Sequence, residues 1–81
     1  MSHPLKEIRL VKKLTQSECG RVLNVSGQIV SQIENGSYNP GNEILAKIAL
    51  TFELNPGDFI KSVEKYLISR QRELKKQIAS S

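Results

Sequence analysis

Two glutamines four residues apart, Gln28 and Gln32, are the side chains of this chain whose spacing offers the most specific chemistry. Residues at that spacing lie on one face of an α-helix. A glutamine amide both donates and accepts hydrogen bonds, so it complements the N6 and N7 edge of adenine in the DNA major groove. Two solvated glutamines on an exposed helix are the alternative, and the surrounding sequence bears on both interpretations.

The residues around the glutamines predict two short helices joined by a tight turn. Thr15 precedes the first helix and Glu18 follows three residues later, which is the spacing of a capping box. Ser26 is a typical cap for the second helix. We therefore predict helices over about 16–23 and 27–34. Such a pair is a helix-turn-helix, which places its second helix in the major groove.

Three further helices are predicted from apolar residues at helical spacing. They span about Pro4–Lys13, Asn42–Thr51 and Pro56–Ile78, and residues 1–4 are expected to form a flexible arm. The chain lacks Trp and has two Tyr and two Phe, so its core is expected to be mainly aliphatic. The fold class predicted is therefore all-α, with five helices. The residues predicted to face inward in the second, third and fourth helices are Cys19, Val22, Leu23, Val30, Ile33, Ile44, Leu45, Ile48 and Ala49.

The charge of the chain is unevenly distributed. Its 81 residues suit one domain, and the net charge is +4 with a pI of about 9.5. Residues 1–55 hold six basic and five acidic side chains, whereas residues 56–81 hold six basic and three acidic ones. An anionic partner is permitted. If the helix-turn-helix binds DNA, helix N-termini, backbone amides and polar side chains must supply much of the affinity.

Several functional classes are disfavoured by composition. The single cysteine, Cys19, excludes an internal disulfide, and with His3 alone it forms no metal cluster. We expect no cofactor, and no nucleophile and base are arranged as in an enzyme. No apolar run is long enough for a membrane span, and no signal segment is recognised, so a cytoplasmic protein is expected.

The sequence resembles the lambda-repressor-like, Cro/C1-type (XRE) helix-turn-helix DNA-binding proteins. The resemblance covers about Leu5–Phe59, and the segments that carry it are IRLVKKLTQSECGRVLNVS, GQIVSQIENG, ILAKIA and LNPGDF. It implies a compact bundle of about five helices over 5–60, with double-stranded DNA as the partner. Members of the family are mostly dimeric transcription regulators of bacteria, phages and plasmids.

The resemblance implies roles for the recognition helix, residues 27–34. Gln28 matches the leading base-reading position of the family and Gln32 matches a second one. Ser31 faces the same side and is assigned to a base or a phosphate. Ile29 stays open between a thymine methyl group, which apolar side chains contact, and packing on the preceding helix.

The resemblance also implies contacts with the DNA backbone. Gln16 matches a glutamine that touches a phosphate, and Gly27 would let the helix approach the groove. Arg9 and Glu34 match a pair that holds the recognition helix in place, with an exposed ion pair of under ~1 kcal/mol as the alternative. Asn35, Ser37 and Asn39, in the loop after the recognition helix, could donate to phosphates and are equally explained as turn formers. The residues assigned to the DNA backbone or to positioning are Gln16, Ser26, Gly27, Asn35, Ser37, Asn39 and Arg9.

Four residues depart from the family pattern. Gly20 replaces the usual Ala, at a helix cost of up to ~1 kcal/mol. Asn24 replaces a turn Gly, Gly41 replaces a Ser cap, and Glu53 replaces a common Gly after the fourth helix. These departures are expected to affect stability more than function.

The C-terminal extension, residues 61–81, is predicted to continue the last helix. Its apolar stripe is assigned to a homodimer interface that consists of Phe59, Ile60, Val63, Leu67, Leu74 and Ile78. A frayed basic tail and a tail that touches DNA outside the operator core are the alternatives. The function predicted is a sequence-specific transcription regulator, by default a repressor, that binds a pseudo-palindromic operator as a dimer. An antitoxin or another interaction module whose tail binds a protein is the second hypothesis.

Overall fold

A computed structural model describes the backbone of residues 2–79 and the side chains of residues 2–76. Within that range the chain is all-helical, as predicted. The five helices are α1 (Pro4–Val11), α2 (Gln16–Leu23), α3 (Gly27–Glu34), α4 (Asn42–Thr51) and α5 (Pro56–Ala79). The bounds of α2, α3 and α4 agree with the sequence prediction, whereas α1 ends two residues earlier than Lys13.

Local side-chain caps explain why the helix-turn-helix begins and ends where it does. The Thr15 hydroxyl accepts a hydrogen bond from the Glu18 backbone N–H, and the Glu18 carboxylate accepts one from the Thr15 N–H, at 3.1 and 2.9 Å. The second bond lowers the pKa of Glu18. Asn24 ends α2 in the left-handed conformation, and the Ser26 hydroxyl accepts from the Ile29 N–H at 3.2 Å to begin α3.

Every helix contributes to one hydrophobic core. Among the described residues, its buried members are Leu5, Cys19, Val30, Ile33, Leu45, Ile48, Ala49, Phe52, Phe59 and Val63. Cys19 is fully buried, and the burial raises the pKa of its thiol. The prediction was wrong for Val22 and Ile44, which are 49% and 45% exposed. Both line an open groove between the helix-turn-helix and α4 rather than the core, because helical spacing defines a face but not its depth.

A close backbone approach at Gly20 corrects the expectation that this glycine only weakens α2. A Cβ atom at Gly20 would lie 2.6 Å from the Val25 carbonyl oxygen and 3.0 Å from the Gly27 nitrogen. The Val25 N–H also donates to the Gly20 carbonyl at 2.8 Å. The turn therefore folds directly onto α2, and the glycine is what allows α3 to start there.

We expect Gly20→Ala to lower the free energy of unfolding by about 1–3 kcal/mol, because the added methyl group forces the turn away from α2. Helix propensity alone predicts the opposite sign, a gain of up to ~1 kcal/mol. Urea unfolding measures the difference. Arg21→Ala, at the exposed neighbouring position, is the control and should change stability by under ~0.5 kcal/mol. A stabilised Gly20→Ala protein would contradict the close approach.

The N-terminal residues are more ordered than the flexible arm predicted from the sequence. His3 is 2% exposed, and its Nδ1 accepts a hydrogen bond from the Leu5 N–H at 3.0 Å, which caps α1. Its ring meets that of Tyr66 edge to face at 5.0 Å. Pro4 is already the first residue of α1. His3 and Pro4 therefore belong to the fold, because His3 is both a cap of α1 and an aromatic neighbour of α5.

Burial of His3 gives folding a specific pH dependence. Desolvation lowers the pKa of His3 from 6.5 to about 4, against an opposing attraction from Glu34. As pH falls, His3 is therefore protonated in the unfolded chain before it is protonated in the folded one. The free energy of unfolding decreases as the pH falls from about 6.5 to about 4, by roughly 3 kcal/mol at most. We expect His3→Asn, which keeps a capping oxygen, to lose this component in urea unfolding measured from pH 7 to 4. Parallel curves for the two proteins would contradict the assignment.

The first half of α5 belongs to the core of the protomer itself. Phe59 and Val63, assigned from sequence to a dimer interface, are 5% and 1% exposed because α1 and α4 pack on this part of α5. Ile60 and Leu67 pack partly against the same core. Leu74 is 45% exposed, and Ile78 lies outside the described side chains. The apolar surface that remains on the described part of α5 therefore lies mainly beyond Leu67.

Candidate nucleic-acid interface

The two faces of α3 are sharply different. Val30 and Ile33 are buried in the core, at 0% and 3% exposure. Gln28 is exposed, and Ser31 and Gln32 are partly exposed. Because these three polar residues are spaced three and four apart, they share the outer face of the helix. The structure therefore brings together the polar residues predicted to read bases.

Ile29 is better explained by packing than by a base contact. It is partly buried and contacts the core cluster, and it lines the groove between the helix-turn-helix and α4. This arrangement favours the packing alternative left open by the sequence. Gly27 has a related role, since a Cβ atom there would lie 3.1 Å from the Cα and Oγ atoms of Ser17. The start of α3 is thereby held against α2.

Arg9 and Glu34 form a buried, bidentate ion pair. Arg9 Nε lies 2.7 Å from Glu34 Oε2, and Arg9 Nη2 lies 3.1 Å from Glu34 Oε1. Arg9 Nη1 also donates to the Leu14 carbonyl oxygen at 2.9 Å. The exposed fractions of the two side chains are 11% and 5%, so this is not the exposed ion pair considered as the alternative. The hydrogen bond to Glu34 raises the pKa of Arg9.

Gln16 joins this pair from the start of α2. Its Nε2 donates to Glu34 Oε1 at 3.3 Å, so its side chain braces the end of α3 rather than extending into solvent. The resemblance assigned Gln16 to a phosphate contact. In the structure its side-chain amide is bound to Glu34, so Arg9 of α1 and Gln16 of α2 share one carboxylate.

The loop after α3 is organised by its own side chains. Gly36 has a positive φ of 81°, which only glycine adopts without strain. The Asn35 Oδ1 accepts hydrogen bonds from both the backbone N–H, at 2.8 Å, and the hydroxyl of Ser37. Asn35 and Ser37 therefore act as turn formers here, while Asn39 is exposed. All three lie directly beyond the end of α3.

Tyr66 is a positioning residue that the sequence analysis missed. Its hydroxyl donates to the Glu34 backbone carbonyl at 3.3 Å, and its side chain is buried. The carbonyls at the end of a helix have no partner within that helix, so an outside donor is needed when they are buried. The spacing of Phe59, Val63 and Tyr66 along one face of α5 is a sequence signal that could have identified Tyr66 as an inward residue.

Two further features of the described part of the chain concern metal binding and membrane spanning. Over those residues, no three His, Cys, Asp or Glu side chains are grouped so as to hold a metal ion. None of the described helices is both long enough and apolar enough to cross a membrane.

A family model described as helix-turn-helix matches residues 5–59, the region that contains α1 to α4 and the start of α5. The chain belongs to the Cro/C1-type (XRE) helix-turn-helix family, as its motifs predicted. This membership also supports the expectation that the chain is not an enzyme.

Two curated relatives are similar in sequence over nearly two thirds of this chain. The ImmF control region 10 kDa protein of Bacillus phage phi105 is 37% identical over 51 residues, which cover 63% of this chain and 57% of the phage protein. An uncharacterized HTH-type transcriptional regulator of Methanocaldococcus jannaschii is 38% identical over 52 residues, covering 64% of this chain and 79% of that protein. The match thus spans little more than half the length of the phage relative.

A solved structure shares the fold. The crystal structure of the clp gene regulator ClgR from Corynebacterium glutamicum superposes with a TM-score of 0.65 at 21% identity, and the match covers 91% of this chain and 81% of ClgR. At that identity the likeness concerns the arrangement of helices alone. It extends over α5 beyond residue 59, which the family model does not cover.

The Arg9–Glu34 pair is expected to behave as one energetic unit. Arg9→Ala leaves the Glu34 carboxylate buried without its guanidinium, so the free energy of unfolding should fall by about 3–5 kcal/mol. In the double variant Arg9→Ala/Glu34→Gln no uncompensated charge remains, so its loss should be smaller than the sum of the single losses. Urea unfolding of the wild type, of the single variants Arg9→Ala and Glu34→Gln, and of the double variant measures the coupling free energy between the two side chains.

Lys6→Ala removes the same charge from an exposed position of α1 and is the matched control. Its effect should stay under about 0.5 kcal/mol. Additive losses in the double variant, or equal losses for Arg9→Ala and Lys6→Ala, would show that the pair does not stabilise the end of α3.

Proposed function

We propose that this protein is a sequence-specific DNA-binding transcription regulator in which α3 enters the major groove. The observation that carries the proposal is the division of α3 into two faces. The inner face is held by the core and by the Arg9–Glu34 pair, and the outer face presents Gln28, Ser31 and Gln32. Membership of the Cro/C1-type family and the regulator relatives support the same reading.

Base recognition is assigned chiefly to Gln28 and Gln32. A glutamine amide pairs bidentately with adenine, so we infer A·T pairs within each half-site. Gln28 lies in the first turn of α3, the end of a recognition helix that contacts base edges. Ser31, between the two glutamines along the chain, is assigned to a base or a nearby phosphate.

Backbone contacts are assigned to groups other than a basic surface, because residues 1–55 carry nearly equal numbers of positive and negative side chains. The N-termini of α2 and α3 suit phosphates, because a helix N-terminus attracts anions. Asn39, which is exposed in the loop after α3, is proposed to add a neutral donor. The affinity for operator DNA should therefore depend less steeply on salt than that of a strongly basic domain.

We infer that the regulator acts as a homodimer in the cytoplasm and represses transcription by covering a promoter. A twofold dimer reads a pseudo-palindrome with half-sites about 10 bp apart, or one turn of DNA. With Phe59 and Val63 in the protomer core, the proposed dimer surface consists of Ile60, Leu67 and Leu74 together with the exposed Ile68. An antitoxin-like role, in which this surface binds another protein, is the alternative that co-purification would identify.

The base-reading assignment predicts the result of binding-site selection from random duplex DNA. The wild-type protein should enrich a symmetric motif that contains A·T pairs. Gln28→Ala should relax the preference at one position of each half-site and weaken binding by about 1–3 kcal/mol, because the bidentate amide contact is lost. Binding curves on the selected duplex measure the second effect.

Ser62→Ala is the control, because Ser62 is an exposed, uncharged polar residue of α5 that lies beside Pro4 and Ile8 of α1, outside α3 and the proposed dimer surface. It should leave the motif and the affinity unchanged. An unaltered preference in Gln28→Ala would rule out the assignment of that residue. Weak, steeply salt-dependent binding by the wild-type protein without any enriched motif would rule out sequence-specific reading altogether.

A further inference from the structure

The C-terminal helix reaches the end of the recognition helix with a second side chain beyond Tyr66. One turn further along α5, Arg70 Nη1 donates to the Gly36 carbonyl oxygen at 3.4 Å. Its side chain also covers Gly36, since a Cβ atom on that glycine would lie 3.0 Å from both Cδ and Nη1 of Arg70. Two consecutive turns of α5 thus hold the backbone at Glu34 and at Gly36.

Arg70 contacts the loop at 35–39 at the residue where its backbone turns. Gly36 has a positive φ and lies between Asn35 and Ser37. The Asn35 side-chain oxygen accepts hydrogen bonds from the backbone N–H and the hydroxyl of Ser37. A positive guanidinium is also favourable at the C-terminal end of α3, where the carbonyl dipoles point outward. Arg70 lies eleven residues beyond the last position matched by the family model, so the contact comes from a part of the chain outside that match.

We propose that Arg70 is a positioning residue that orders the loop after α3 from the C-terminal helix and thereby raises affinity for operator DNA. The inference rests on the proposed function for its effect on DNA, while its structural half concerns the protein alone. The hydrogen bond is long, so the packing of the side chain over Gly36 supplies part of the effect. Arg70 of α5 is in this way coupled to the loop that carries Asn39, the residue proposed to contact a phosphate.

The test compares Arg70→Ala with Arg72→Ala. Both substitutions remove one positive charge from an exposed position of α5, but Arg72 lies about 200° further around the helix from Arg70. Binding to the selected duplex is measured at several salt concentrations, and hydrogen exchange is followed at the backbone amides of 36–39. Arg70→Lys is added because it keeps the charge and loses the planar guanidinium.

We expect Arg70→Ala to bind operator DNA about three- to tenfold more weakly than Arg72→Ala, the range of one net hydrogen bond. The salt dependence of the two variants should be the same. Amides of 36–39 should exchange faster in Arg70→Ala only, and Arg70→Lys should fall between Arg70→Ala and the wild type. Thermal unfolding should show both alanine variants folded.

Three results would overturn the proposal. Equal affinities for the two alanine variants would mean that only charge matters. A salt slope that falls by about one in Arg70→Ala alone would make Arg70 a direct phosphate contact. Unchanged hydrogen exchange at the amides of 36–39 in Arg70→Ala would show that Arg70 does not order the loop. If the wild-type protein selects no duplex, the proposed function fails, and the exchange experiment alone then decides whether Arg70 orders the loop.

Discussion

A buried carboxylate at the end of α3 is the constraint on which the rest of the fold depends. Glu34 is nearly inaccessible to solvent, so its charge has to be compensated inside the protein. Arg9 supplies the charge from α1, Gln16 adds a donor from α2, and Tyr66 binds the carbonyl of the same residue from α5. The last turn of α3 is therefore positioned by three helices at once.

This arrangement separates the two tasks of α3. Polar partners and core packing determine its depth and rotation, and neither uses the outer side chains Gln28 and Ser31. Among the described side chains, no buried nitrogen or oxygen lacks a hydrogen-bond partner, so the polar cluster around Glu34 is fully satisfied. A family built in this way can change its outer residues without disturbing the support beneath them.

How well each part of the fold could be predicted depended on how far apart along the chain the interacting residues are. The bounds of α2 and α3 could be predicted because their caps, Thr15 with Glu18 and Ser26, act on backbone groups only three residues away. Val22 and Ile44 were misjudged because a period of 3.6 residues does not distinguish a core from an open groove. The core placement of Phe59 and Val63 was missed because it depends on where α1 and α4 pack along α5.

The site was predictable to a similar extent. The outer polar face of α3 was identified from the spacing of its residues, and the Arg9–Glu34 pair was identified from the family resemblance. The roles of His3, Tyr66 and Gly20 were not, because each depends on atoms far along the chain or on one close backbone approach. No local pattern distinguishes a histidine that will be buried under a tyrosine from one in a flexible arm.

The single cysteine of the chain has a further consequence. Cys19 is sealed in the core next to the buried faces of α2 and α3, and its thiol is held in the protonated form, which is a poor nucleophile. Alkylating reagents and oxidants therefore reach it only while the core is open. The rate at which the Cys19 thiol is modified therefore measures how often the core beneath α3 opens.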